Sequence, residues 1–217
     1  MEQIRSGELQ PGDRLPPERE LSAQLGVSRT AIREALRAME TVGYVESKVG
    51  GGTFVRALTM EDVAAPLCST VGQDARMQTD LVEVRLLLET EAAARAADLR
   101  SAEAISRIEA ANLMLEDAIS RHADGSEADR RFHRAVAQAG GNIALVTILD
   151  LCGELMRENQ KTTLSIPGQP GKTLTDHRRI CAAIAAGDRE GAAAAMRRHL
   201  QKAYLNLRSM APSGQDE

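Results

Sequence analysis

Apolar residues recur at helical spacing over most of this chain, and the pattern changes character near residue 57. In VSRTAIREALRAME, Val27 to Glu40, the residues Ile32, Leu36 and Met39 share one helix face. Arg29, Arg33 and Arg37 lie off that stripe at four-residue steps, so they share a second face. Upstream, Pro16-Pro17-Glu18-Arg19-Glu20 opens a shorter helix, where prolines suit the first positions and acids the positive end. Leu21 and Leu25 are expected to face inward. Gly26 ends that helix and Ser28 is placed to cap the next. The pattern predicts helices over Glu18–Leu25 and Ser28–Thr41, joined by a short turn at Gly26-Val27. Gly43 stops the second. Tyr44 to Ser47 reads as a strand, Lys48 to Gly52 as a glycine-rich tip, and Thr53 to Val55 as the returning strand. With the helical stub before Pro11-Gly12, this is the grammar of a winged helix-turn-helix.

From Thr59 onward the pattern predicts six or seven helices, at roughly 60–72, 79–99, 101–122, 126–140, 142–160, 173–186 and 188–208. Thr59, Thr79, Ser101, Ser126, Asn142, Thr173 and Asp188 are placed as N-caps. Residues Ser165 to Lys172 are expected to form the one longer loop. Short connections make neighbouring helices antiparallel. The expected fold is therefore mainly α: an N-terminal winged helix-turn-helix with a small β-hairpin wing, then an all-α antiparallel helical bundle. The expected divisions are 1–57 for the winged helix, 58–78 for a linker or first helix, 79–208 for the bundle and 209–217 for a flexible tail.

Composition sharpens this. There are two Phe, two Tyr and no Trp, so the core must be aliphatic and alanine-rich, which favours helix over strand. Net charge is −4, and acidic and basic residues balance over the first 57 positions. Contact with nucleic acid would have to come from a placed stripe, not from bulk charge. Cys68, Cys152 and Cys181 are scattered and read as small buried hydrophobes in a reducing compartment. No apolar run reaches the length of a membrane span and no signal-peptide core is evident, so a soluble, cytoplasmic protein is expected.

Two sets of residues carry candidate chemistry. The first is the start of the second helix. Recognition helices contact base edges with their N-terminal residues, and arginine's planar fork reads guanine bidentately. Arg29, Thr30 and Arg33 lie there. Backbone N–H groups beyond Ser28 can hold a phosphate, and a tip such as Gly50-Gly51-Gly52 can press its backbone against a groove. A solvated arginine face is the alternative.

The second set is Asp129, His133, His177 and His199. Asp129 and His133 are four apart and share a helix face. His177 lies ten residues before Gly187 and His199 eleven after Asp188, which sets them at one height in an antiparallel hairpin. One Asp and three His suit a first-row divalent ion such as Zn, Ni, Mn, Fe or Co, and not Ca or Mg. Each histidine alone could equally be a core residue, and spacing leaves both readings open. His122, at a helix end, fits no such set.

The stretch GELQPGDRLPPERELSAQLGVSRTAIREALRAMETVGYVESKVGGGTFV, Gly7 to Val55, resembles the DNA-binding domain of the GntR superfamily of bacterial transcription regulators. Met1 to Ser6 stand in for the longer first helix usual there. The resemblance implies operator contacts from Arg19, Arg29, Thr30 and Arg33. Ser28 stands at the same helix start, and the wing glycines Gly50 and Gly52 would lie near the minor groove. A second resemblance covers about 79 to 205. LVEVRLLLETEAAARAA, DRRFHRAVAQAGGN, DHRRICAAIAAGD and MRRHL are similar to successive motifs of the FCD domain, the effector-binding bundle of the FadR subfamily. It implies that Asp129, His133, His177 and His199 hold one metal ion per chain, zinc first among the candidates. It also implies a small organic acid whose carboxylate reaches that metal, with Arg85 lining the cavity or pairing Glu89 at the surface. The reading is a dimeric regulator, most often a repressor in that family, binding a pseudo-palindromic operator. A regulator with a purely structural metal and a metal-dependent hydrolase are the alternatives; no nucleophile motif supports the latter.

Overall fold

The computed structural model describes residues 2–57, 59–71 and 74–210. The chain divides into two compact units, Met1–Val63 and Ala64–Glu217.

The first unit opens with α1 (Glu2–Arg5), then α2 (Glu18–Leu25) and α3 (Arg29–Thr41). Gly26 turns the chain between α2 and α3 at φ +67°, and the Ser28 hydroxyl accepts the Ala31 N–H at 3.1 Å. These are the sequence signals acting as expected. β1 (Val45–Lys48) pairs antiparallel with β2 (Gly52–Val55), Val45 opposite Val55 and Lys48 opposite Gly52. Leu15, Val45 and Val55 form the buried centre, with Leu36, Met39 and Tyr44 packed against it. Leu25 does not face inward as expected: it is 65% exposed, and α2 buries none of its residues. An eight-residue helix leaning on α3 covers only a short stripe, and Leu25 lies at its far end.

The second unit comprises the rest of α4 (Met60–Val71), then α5 (Ala75–Leu99), α6 (Ala102–Ser120), α7 (Ser126–Ala139), α8 (Ile143–Leu155), α9 (Arg157–Leu164), α10 (Gln169–Ala186) and α11 (Arg189–Met210). The long α5 runs along α7, α8, α10 and α11, and α6 packs on α7 and α10. Ile108, Phe132, Val136, Ile180, Ile184, Met196 and Leu200 fill the core, interleaved with buried alanines from α5, α6, α7 and α11. Small residues bring the backbones close. A Cβ on Gly140 would stand 3.0 Å from the Ala92 carbonyl oxygen on α5.

Three boundaries differ from expectation. α5 begins at Ala75 and not at Thr79, because the Asp74 carboxylate caps it by accepting the Arg76 and Met77 N–H groups. The helix expected over 142–160 is two, broken at Met156; Gln78 Nε2 donates to the Leu155 carbonyl at 2.9 Å, giving it a partner outside its own helix. The expected loop at 165–172 shortens to a turn ending at Gly168 (φ +77°), and Thr173 is buried inside α10. Pro170 suits the first turn of that helix, where no N–H is needed. Of the expected tail 209–217, residues 209 and 210 are helical and 211–217 lie outside the described residues. No helix among the described residues is long and apolar enough to cross a membrane.

Candidate metal centre and nucleic-acid face

α7 projects Asp129 and His133 from one face, α10 supplies His177, and α11 supplies His199. All four are buried, and one ligand atom from each lies within 4.8 Å of the others. His133 Nε2 and His199 Nε2 face each other at 3.3 Å, and His177 Nε2 lies 3.3 Å from Asp129 Oδ1. Phe132 stacks on the His177 ring, centroids 3.6 Å apart and nearly parallel. Among the described residues neither ring nitrogen of His177 makes a hydrogen bond. Buried polar atoms ordinarily find partners, so this set could hold a metal ion. Burial pushes the His177 and His199 pKa values below the ordinary imidazole range, which leaves both neutral and able to donate a lone pair at neutral pH.

Two further carboxylates orient this set. The Glu89 carboxylate on α5 accepts from His133 Nδ1, leaving Nε2 to point at the centre. Asp176 on α10 stands 3.9 Å from His199 Nδ1 and accepts two bonds from the Lys202 ammonium, at 2.7 and 2.9 Å. Burial raises the pKa values of Glu89 and Asp129, but the groups around them outweigh it: Arg85 and His133 bring Glu89 down to about 2, and the three histidines hold Asp129 below the usual carboxylate range. Both stay anionic. Arg85 pairs with Glu89 at 2.6 Å, as one expectation had it, yet it is only 5% exposed and not a surface residue. It lines a cavity of about 60 Å³ with Asp129, His133 and His199, walled by Asn159, Gln160 and Thr163 of α9 and by Lys202 of α11.

Sequence reasoning did not find Asp176 or Lys202, and it placed Glu89 only as a surface partner of Arg85, not as a partner of His133. Asp176 directly precedes His177, which was a usable signal. The spacing of Glu89 marked its pairing with Arg85 but not its turn toward His133, because α5 buries residues on most of its circumference and no pattern marks which carboxylate turns inward.

In the first unit, Arg19, Ser28, Arg29, Thr30, Arg33, Gly50 and Gly52 are all exposed. Arg33 is not a free side chain; its guanidinium makes a two-bond fork with Glu18. Arg14 was also missed. Its guanidinium lies on the wing, where a Cβ on Gly52 (φ +99°) would come within 2.8 Å of its Nε.

Residues 1–55 match the family described as bacterial regulatory proteins, gntR family, and residues 80–202 match the FCD domain. The chain belongs to the GntR family. The HTH-type transcriptional regulator LutR of Bacillus subtilis is 36% identical over 205 residues, covering 91% of this chain and 92% of that relative. A putative L-lactate dehydrogenase operon regulatory protein of Escherichia coli is 32% identical over 209 residues, covering 92% of this chain and 80% of that relative. The solved structure of a Streptococcus agalactiae GntR protein superposes with TM-score 0.72 at 27% identity, covering 94% of this chain and 95% of that one. This GntR protein is a DNA-binding transcriptional regulator and not an enzyme, and the buried Asp/His₃ set lies inside its FCD domain.

Proposed function

We propose that this regulator is a homodimeric repressor whose operator affinity is set by a small organic acid bound beside a divalent transition metal. The observation that carries the reading is the juxtaposition of Asp129, His133, His177 and His199 with a small cavity that also holds the Arg85 guanidinium. The four residues would hold the ion, zinc first, with Ni, Mn, Fe and Co as the other candidates of the right softness. A bound ion would supply a Lewis-acidic position for an oxygen ligand. Arg85 would supply a planar donor pair for a carboxylate. A cavity of about 60 Å³ has room for roughly four waters, the size of a three- or four-carbon acid. One relative is named for an L-lactate dehydrogenase operon, so 2-hydroxy acids of lactate size are the first ligands to test.

On the DNA side, Arg19, Arg29, Thr30 and Arg33, with the Ser28 helix start and the Gly50 and Gly52 backbone, would meet the operator. The acid would act by population shift, favouring a bundle arrangement in which the two winged helices no longer match both half-sites. For that it must bind one arrangement better than the other; tight binding alone shifts nothing.

The test is thermal melting with a panel of mono-, di- and hydroxy-acids, on metal-replete and chelated protein. A native-state ligand raises stability as the logarithm of one plus concentration over Kd. The expected result is an acid that stabilises the replete protein, releases it from operator DNA, and loses both effects on chelation. If chelation lowers the melting temperature while no acid acts, the metal is structural and the effector reading falls.

A further inference from the structure

Glu18 is the first residue of α2, and Arg33 stands in the second turn of α3. Arg33 Nε donates to Glu18 Oε1 at 3.0 Å, and Nη2 donates to Oε2 at 2.8 Å. The fork occupies one edge of the guanidinium. The opposite edge, with both Nη1 hydrogens and the outer Nη2 hydrogen, is left for another partner. Two parallel donors at that spacing match O6 and N7 of guanine. The Arg33 side chain is 53% exposed, so that edge is accessible.

Glu18 is a costly residue to keep here. The Arg33 hydrogen bond holds its carboxyl below the usual range against the opposing effect of burial, and the charges of Arg33, Arg29 and Arg37 add to the pull. It is therefore a fixed negative charge amid the three arginines of α3, on a face that would meet phosphates. Such a charge lowers affinity for any duplex. Its return is order. An arginine has many rotamers, and one anchored along its Nε edge reaches a base with most of that freedom already removed.

We propose that Glu18 is a positioning residue for base readout: it holds Arg33 so that the free end of the guanidinium meets one guanine. The inference rests on reading α3 as the recognition helix. It predicts a split that a merely structural ion pair would not give, with selectivity falling while general affinity for DNA rises.

The experiment uses the full chain and a pool of randomised duplexes. Preferred sites are selected with the unaltered protein. Every single-base variant of the best site and one unrelated duplex are then titrated with the unaltered protein, Glu18→Ala, Glu18→Gln, Arg33→Ala and Glu18→Ala/Arg33→Ala. Arg33→Ala should relax discrimination at one base pair about tenfold or more. Glu18→Ala should relax the same base pair several-fold, bind the unrelated duplex more tightly, and change no discrimination once Arg33 is gone. Glu18→Gln, which keeps one acceptor oxygen, should fall between. If Arg33→Ala relaxes that base pair and Glu18→Ala does not, the positioning role of Glu18 is wrong and the recognition helix stands. If Arg33→Ala changes no base preference, both fall together. An equal loss on all duplexes with Glu18→Ala would mark the pair as structural and overturn the proposal.

Discussion

His133 Nε2 and His199 Nε2 face each other across 3.3 Å inside the bundle, each with its other ring nitrogen turned toward a carboxylate: Glu89 for His133 and Asp176 for His199. Two imidazoles oriented in this way aim their Nε2 atoms at one point. A cation at that point would satisfy them, and Asp129 would supply the charge. The expected result is about one divalent transition metal per chain by elemental analysis. Asp129→Ala, His177→Ala and His199→Ala should each reduce it to a small fraction of that. Full retention in any of the three would remove that residue from the set.

The carboxylates behind the histidines should matter nearly as much. Glu89→Gln and Asp176→Asn are each expected to weaken metal binding about 10- to 100-fold, read by competition with a chromogenic chelator. The two should differ in stability. Glu89→Gln leaves Arg85 buried without its counter-charge, a change that typically costs about 3–5 kcal/mol. Asp176→Asn frees Lys202, whose side chain is 52% exposed and rehydrates easily, so a smaller cost is expected.

Phe132 is fully buried and stacked on His177. Phe132→Ala should cost about 3–5 kcal/mol in chemical denaturation, as for other large-to-small changes in a packed core. It should also lower metal content, because the His177 ring loses the plane that fixes its orientation. Phe132→Leu should keep most of the stability. A Leu variant with normal stability and normal metal uptake would show that stacking plays no part in the site.

At the wing, Arg14 and Gly52 form a second pair to test. Arg14→Ala should weaken binding to all duplexes alike and reduce the salt dependence of affinity by about one phosphate contact. Gly52→Ala forces an L side chain into left-handed backbone, at about 1–2 kcal/mol, and displaces the Arg14 guanidinium. Its effect on DNA affinity should therefore not add to that of Arg14→Ala. Full additivity would separate the two residues.

The sequence exposed most of the fold because most signals here are local. Gly26 and Ser28 mark the helix-turn-helix without any tertiary information, and Asn142 caps α8 as its chemistry demands. Two misplaced boundaries turned on local signals passed over, the Asp74 cap of α5 and the Gly168 turn with Pro170 before α10, and the third lies beside a long-range contact. Gln78, distant in sequence, donates to the Leu155 carbonyl beside Met156, where a helix that periodicity would continue is interrupted. The four-residue Asp/His set was visible because Asp129 and His133 share a turn spacing and the Gly187-Asp188 hairpin aligns His177 with His199. The turn of Glu89 toward His133 was hidden because it is set by where α5 lies against α7, which no spacing within α5 records.

Glu89 divides its two oxygens between different tasks. Oε1 holds Arg85 and Oε2 holds His133. An anion in the cavity would compete for Arg85, and whatever Arg85 gives up, Glu89 can return to His133, making that imidazole a better donor. If the four residues hold the proposed ion and the cavity takes the proposed acid, one carboxylate would join the occupancy of the cavity to the grip on the ion. Such coupling is reciprocal: if the acid tightens the hold on the metal by some factor, the metal tightens the hold on the acid by the same factor. A cell short of the metal would then misread the abundance of the acid, even with every other part of the regulator intact.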